Sequence, residues 1–500
     1  MRPRSTLCSA AQTALDRGSA WYLDSMRRLG IAAFAVAAAC AGGSTSDGGG
    51  SIGLGGSTGG RAETGTGTPE DGETSPTSDP DDSNDGPGDA TDGMTDTGVA
   101  QGCGDGNRDG DEECDDGNLE DGDGCNADCK LSGQVLWNHF GAAGFGLTDD
   151  ALGVAPLPGG DVIAVGMTST VDDVDDQWMR RLSDQGGMLW TKVHDGPAGG
   201  NDQLRGVTVD TAGSIYVAGY QGVTGESANV FVRKYDNTGD PQWTDTFDGG
   251  GGSSDVANAI IEDPDGNFVV AGYVTITGEG RNVWVRKYSP DGNVLWTRTW
   301  AGDTNEHDVA WAIAASGDGH YYVAGSTEVG AEGENTWLGK LDIDGNVLWT
   351  RSHNGQAGLG DRFRGVTADA SGVVVCGYED HGAYPWQAFL RKYDADGAIE
   401  WTVIDAGGTT EGAHCFDVEQ AGNGDYVWGG GENFMDVRHA VVARIAADGT
   451  QKWRSVLPSP ADGPDFARDI AFTAQGSILV GGRIDAGTDA DDAWIALLTP

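Results

Sequence analysis

The stretch DVANAIIEDPDGNFVVAGYVTITGEGRNVWVRKYSPDGNVLWTRTW, residues 255–300, decides the fold, because versions of it recur from residue 134 to residue 500. Each version ends on a Trp: Trp137, Trp190, Trp243, Trp296, Trp349, Trp401 and Trp453, at steps of 53 or 52 residues. A Gly marks each middle, read as Gly166, Gly219, Gly272, Gly325, Gly377, Gly429 and Gly481. A fixed period takes precedence over local readings, since it makes each repeat one structural unit. In 255–300 the unit holds four short strand candidates, DVANAII, NFVVAGY, NVWVRKY and NVLWTRTW. They are β-branched or aromatic and are separated by turn sequences such as DPDGN and YSPDGN, where Gly or Asn accepts positive φ. Four antiparallel strands per fifty residues, without helical periodicity, describe a propeller blade rather than a helical array.

The ends of the array fix the blade number. QVLWNHF, 134–140, reads as a fourth strand with no blade before it; the last unit ends on its third strand, AWIALL, 493–498. An open array would leave two bare edges. If 134–140 completes the last blade, every strand is used once and the ring has seven blades. The expected fold is therefore all-β, a seven-bladed propeller over 134–500 closed by an N-terminal strand. Its third strands place Trp178, Phe231, Trp284, Trp337, Phe389, Val441 and Trp494 on one face. Arg180, Arg233, Arg286 and Arg391, two residues later, read as structural residues in the seams between blades, with the stems of Lys234, Lys287, Lys340 and Lys392 over the neighbouring blade.

Upstream of the ring the chain changes character three times. Residues 1–40 form a leader in which Met26 is a second candidate start: Arg27 and Arg28 precede the apolar run LGIAAFAVAAA and Cys40. The run has the shape of an export signal. The AAAC ending resembles a bacterial lipobox, which implies lipidation of Cys40; cleavage near Ala39 and secretion is the other reading. Residues 41–102 carry twelve acidic residues against one Arg and almost no apolar side chains, the composition of a disordered tether.

Residues 103–130 are cysteine-rich: Cys103, Cys114, Cys125 and Cys129 lie within CGDGNRDGDEECDDGNLEDGDGCNADC. In an exported chain they predict two disulfides, with three pairings open, holding a unit too small for a core. This stretch resembles the myxobacterial-type cysteine-rich repeat, which implies an extracellular module. Asp105, Asn107 and Asp109 followed by Gly110, with Asp116 at position 12, match the phase of a calcium loop; the preferred reading is a turn-rich acidic surface, Ca²⁺ is the alternative, and no cofactor is required. The repeats after 134 are similar to propeller-repeat families of bacterial surface proteins, through D-x-x-G-N-x-x-V-A-G and W-x-x-K-Y/F-D-x-x-G patterns; that likeness implies the fold and not an activity. The G-x-x-x-W endings resemble quinoprotein dehydrogenase repeats, but no insertion would supply a quinone cage.

Candidate sites follow from the ring. Cys376 and Cys415 fall on adjacent blades, where they form either an interblade disulfide or two buried thiols. The connections between second and third strands vary most and collect on one face, where recognition is normally placed. Tyr384, Trp386, Phe434 and Met435 are the apolar exceptions in those loops and are either ligand contacts or residues packed against neighbouring loops. An acidic position before the innermost strand, read as Asp150, Asp202, Asp255, Asp308, Asp361 and Asp465, would ring the axis as a cation site or serve as a loop anchor; the anchor is the preferred reading. No metal-binding histidine spacing, nucleophile elbow or phosphate loop is present, so no catalytic residue is assigned. The formal net charge of -48, from 78 acidic and 30 basic residues, disfavours nucleic acid and anionic membranes as partners. The sequence therefore describes a monomeric, exported, non-catalytic binding module for protein or carbohydrate at the outer membrane or cell surface, or secreted, touching membrane only through a lipid anchor. The alternatives are an exported hydrolase, lyase or oxidoreductase with its site on the loop-rich face, and a structural surface protein.

Overall fold

In the computed structural model, residues 103–500 are described except 109–111, 142–147, 170–173, 226, 303–306, 331–332, 356–359, 381–385, 406–411, 435–436, 458–463 and 486–490. The leader, Cys40 and the stretch 41–102 lie outside the described residues. The strands assemble into seven four-stranded antiparallel sheets. Blade 1 is typical: Asp149–Pro156 innermost, then Val162–Ser169, Asp175–Leu182 and Met188–His194 outermost. Blades 2 to 6 repeat this order, and blade 7 orders Phe466–Phe472, Ile478–Asp485, Asp491–Leu498 and, last, Val135–Gly141 from the other end of the propeller. The fold is the seven-bladed propeller expected from the repeat, closed as expected.

The closure rebuilds an ordinary hairpin turn from two chain ends. Inside blade 1, Ser183 N donates to Gly187 O at 2.8 Å and Gly186 N to Ser183 O at 2.9 Å. In blade 7, Thr499 N donates to Gln134 O at 2.8 Å, and Gly133 N to Pro500 O at 3.3 Å. Gly133 thus stands where Gly186 stands, with φ of 69° against 76°, and the turn closes without a peptide linking its halves.

Seven apolar clusters each straddle two neighbouring blades, the seam between blades 7 and 1 included. The blade-ending tryptophans clip these seams from outside. Nε1 of Trp137, Trp243, Trp296, Trp349 and Trp401 donates to a carbonyl in the last turn of the next blade, at 2.9–3.2 Å. The seam arginines are structural: Nε of Arg180, Arg233, Arg286 and Arg391 donates to a Thr hydroxyl on the adjoining outermost strand, at 2.7–3.1 Å.

Cysteine chemistry adds three links. Cys376–Cys415 ties the second strand of blade 5 to the first of blade 6, resolving the open alternative in favour of an interblade disulfide. In the small module the pairs are Cys103–Cys129 and Cys114–Cys125. The module's hub is Asp115: its carboxylate accepts from the backbone N of Gly104, Asp105, Gly106 and Gly117 at 2.8–3.3 Å. Burial works against that charge, but the four donors outweigh it and hold its pKa below the ordinary value.

Two outcomes check this description. A Cβ at Gly133 would meet the Trp453 ring at 2.7 Å in a left-handed backbone, so Gly133→Ala should cost about 1–2 kcal/mol, read by chemical denaturation. Gly317→Ala, whose Cβ meets nothing within 4 Å, should leave stability nearly unchanged. Replacing Cys376 and Cys415 together by Ala opens a link across a sequence separation of 39 and should cost about 3–4 kcal/mol. A double variant that melts with the parent protein would show that the disulfide adds nothing to the ring.

Candidate functional site

Each innermost strand carries one residue too many. In blade 3, Ala257 pairs with Gly272 and Ala259 with Ala271, so Asn258 is left as a bulge. The same slip leaves Leu152, Arg205, Trp311, Arg364, Phe416 and Arg468 in the other blades. A bulge bends its strand and re-aims a side chain. The mid-unit Gly lies beside it: a Cβ on Gly272 would stand 2.0 Å from the Val256 carbonyl oxygen, so no larger residue fits. In blades 6 and 7 this position is held by Gly430 and Gly482, one residue beyond the expected Gly429 and Gly481.

The seven bulge residues meet around one cavity of about 390 Å³, joined by Asp150, Met167, Gln203 and Arg483. These come from the starts of first strands and the ends of second strands, the face on which the variable loops gather. The lining holds four Arg against one Asp, in a chain whose formal net charge is -48. Three of the four have polar partners. Arg468 Nη2 donates to Asp150 Oδ2 at 3.1 Å, Arg483 Nε lies 3.3 Å from Asp491 Oδ2, and Arg205 Nη1 donates to Asn258 Oδ1 at 2.7 Å. Arg364 differs: its Cζ lies 4.0 Å from the Trp311 ring centre and 5.6 Å from that of Phe416, and its buried Nη1 has no hydrogen-bond partner among the described residues. Burial, together with the charges of Arg468, Arg362 and Arg205, brings its pKa down to about 10, still protonated at neutral pH.

An aromatic path leads outward from the cavity. Phe416 stacks on His414 at 5.9 Å between ring centres, and His414 meets Trp386 at 5.2 Å and Tyr378 at 4.7 Å. Burial, with the charges of Arg438, Arg364 and Arg468, pushes His414 down to about 3, so its ring is neutral at working pH. Trp386, one of the four candidate contact residues, is 39% exposed at the outer end of this path. Tyr384 and Met435 lie outside the described residues; Phe434 ends the strand Tyr426–Phe434, and its side chain is likewise outside the description.

The acidic positions are loop anchors. Asp202 accepts from Gly196 N and Gly222 N, both at 2.7 Å, and Asp255 from Gly249 N and Thr275 N, both at 2.6 Å. Each thereby ties the loop before its blade to the end of its second strand. In blade 1 the position belongs to Asp149, not to the expected Asp150: Asp149 pairs with Thr168 as Asp308 pairs with Thr327. Asp150 is one step further in, at the cavity. The residues of the candidate calcium loop belong to the small module. Asp105 Oδ1 accepts from Asn107 N at 2.8 Å, Asp109 is outside the described residues, and burial together with the neighbouring Asp123 raises the pKa of Asp116.

Further along the first strands of blades 6 and 7 lies a carboxyl cluster. Asp417 accepts from Ile470 N at 3.0 Å and Asp469 from Val154 N at 2.6 Å, each bridging to the next blade. Burial raises all three acids here, Asp417 to about 6, Asp469 well above its ordinary range, and Glu419 to about 8 with the Asp417 charge assisting.

No family model matches the chain, and no curated protein matches it in sequence. Solved structures match in fold. Sqt1 from Chaetomium thermophilum is 12% identical, covering 74% of this chain and 99% of its own, with a TM-score of 0.42. Drosophila Plexin A, in complex with Semaphorin 1b, is 8% identical over 74% of this chain and 87% of its own, TM-score 0.42. A protein of unknown function from Dyadobacter fermentans is 10% identical over 73% and 98%, TM-score 0.43. At this level of likeness none of them bears on a ligand.

The carboxyl cluster sets a pH test. Glu419 is neutral in both folded and unfolded chain below its unfolded value of 4.5; between there and about 8 only the unfolded chain loses the proton. Stability must therefore fall with rising pH across that window. The parent protein should lose melting temperature relative to Glu419→Gln from pH 4.5 to 8 and run parallel to it above. Parallel curves throughout would place Glu419 in an ordinary solvated setting.

Proposed function

We propose that the protein is an exported, lipid-anchored binding module that takes a protein or glycan ligand at the loop-rich mouth of its propeller channel. The observation that carries this reading is the contrast between frame and lining. The blades repeat their tryptophans, glycines and anchoring aspartates, while the seven bulge positions hold Leu, Arg, Asn, Trp, Arg, Phe and Arg. A frame that repeats while its seven convergent side chains diverge is suited to recognition.

The lining is better equipped to grip than to react. It offers guanidinium forks, amides and aromatic faces. Its one acid among the described residues, Asp150, accepts from Arg468, and the neighbouring His414, held neutral by burial, is a weak base. The enzyme reading draws on the same cavity, whose described lining holds one carboxyl group and no histidine, cysteine or lysine. Export and the anchor at Cys40 rest on the leader, with the acidic stretch 41–102 carrying the head.

A glycan and surface-protein binding screen with the full chain tests the assignment. At least one ligand class should be retained, and Leu152→Trp, which fills the mouth from a partly exposed position, should abolish retention. Equal retention by the parent and Leu152→Trp would move the site elsewhere on the head.

A further inference from the structure

We infer that the channel mouth is a carboxylate site, in which the guanidinium of Arg364 takes the carboxylate of a small organic acid or of an acidic sugar. This rests on the binding reading above and names the chemistry of its ligand.

The argument begins from what Arg364 costs the empty ring. Arg364 is partly exposed as a whole, but its Nη1 is withdrawn from solvent, and a desolvated guanidinium nitrogen is unfavourable unless it is paired. Arg362, Arg468 and Arg483 each face a carboxylate, from Glu334, Asp150 and Asp491. Arg364 faces two aromatic rings instead, and such stacking offsets only about 0.5–2 kcal/mol. Arg468, Arg362 and Arg205 repel it, and Tyr378 alone favours its charge among the described neighbours that act on it. The fold does not require a cation there, because Leu152, Asn258, Trp311 and Phe416 occupy the same bulge position in other blades. A destabilising residue at an unconstrained position, in a cavity, points to a ligand.

The geometry narrows the ligand. Stacking on Trp311 holds the planar fork in place, which suits two parallel hydrogen bonds to a planar oxyanion. A phosphate dianion would draw on several unpaired cations, but the other lining arginines are already engaged, and Asp150 stands beside them. One unpaired fork matches one monoanionic carboxylate. The apolar faces of Phe416 and Met167 are available to the body of the ligand.

Titration calorimetry on the full chain tests this with four probes: D-glucuronate, succinate, D-glucose and inorganic phosphate. Heat from glucuronate alone identifies an acidic sugar, and heat from succinate as well identifies carboxylates in general. Both support the proposal. Arg364→Gln should weaken acid binding by about tenfold or more. Arg364→Lys should recover only part, since an ammonium lacks the fork. Should Arg364→Gln fail to fold, Leu152→Asp sets a carboxylate in the mouth and should weaken acid binding without touching Arg364. Tighter binding of phosphate, equal binding of glucose, silence from all four probes, or full affinity in Arg364→Gln or Leu152→Asp each overturns the carboxylate assignment. Glucose binding that Leu152→Trp removes would do so while leaving the mouth as the binding site.

Discussion

The structure depends on one strand pairing made between residues more than three hundred positions apart. Val135–Gly141 lies antiparallel to Asp491–Leu498, and Trp494 Nε1 donates to Asn138 Oδ1 across the join at 2.9 Å. Bringing the two segments together costs about 5 kcal/mol of loop entropy by length alone. What offsets it is not the pairing alone. The outermost strand of blade 7 also carries Trp137, which packs on Gly186 and donates to Asp184 O in blade 1, so a single strand completes one sheet and clips the next. With it in place every seam is interior, including the cluster that joins Val154 and Trp178 of blade 1 to Leu479 and Ile495 of blade 7. Without it two apolar blade faces and two strand edges would meet water.

Closure also makes the channel, and the bulges furnish it. A regular innermost strand would turn its side chains alternately into the two neighbouring seams. The extra residue breaks that alternation once per blade and adds one side chain to the cavity wall. The glycine opposite gives the bulged backbone room, and the buried aspartate at the start of the same strand holds the adjoining loops. Frame and lining are therefore chemically separate. A substitution at a bulge position acts first on the cavity wall, and where the side chain reaches the next blade, as Asn258 Nδ2 does in donating to Ala310 O at 2.7 Å, it also changes a contact across the ring.

This division explains how much of the molecule was legible in the chain. Blade number, closure, and the structural character of the seam arginines and anchoring aspartates all belong to the frame. The frame repeats, so periodicity exposes it. The lining does not repeat, so the comparison that revealed the blades removed Arg364 and Trp311 from view. A signal was nonetheless present: a glycine in the middle of every second strand marks a close backbone approach, hence a bulge opposite. The remaining slips were by one residue between identical neighbours. The spacing itself distinguishes Asp149 from Asp150, because each anchoring position lies twelve residues after its Trp, as Asp202 does after Trp190. In the small module the hub is Asp115, which no side-chain pattern reports, because its role depends on backbone N–H groups.

The sign of the cavity follows from the same separation. A net charge of -48 repels an anion at long range, but salt screens exposed charges within about 8–10 Å. Inside the mouth four guanidiniums face one carboxylate, that of Asp150. An approaching acid therefore meets repulsion outside and attraction within. Such an arrangement gives up association rate and keeps discrimination: diffuse polyanions are turned away by the surface, and only a ligand small enough to enter reaches Arg364. A basic exterior would have attracted nucleic acid and anionic lipid indiscriminately. The acidic exterior and the cationic pocket are thus two parts of one selectivity, for a single acid group on a compact body.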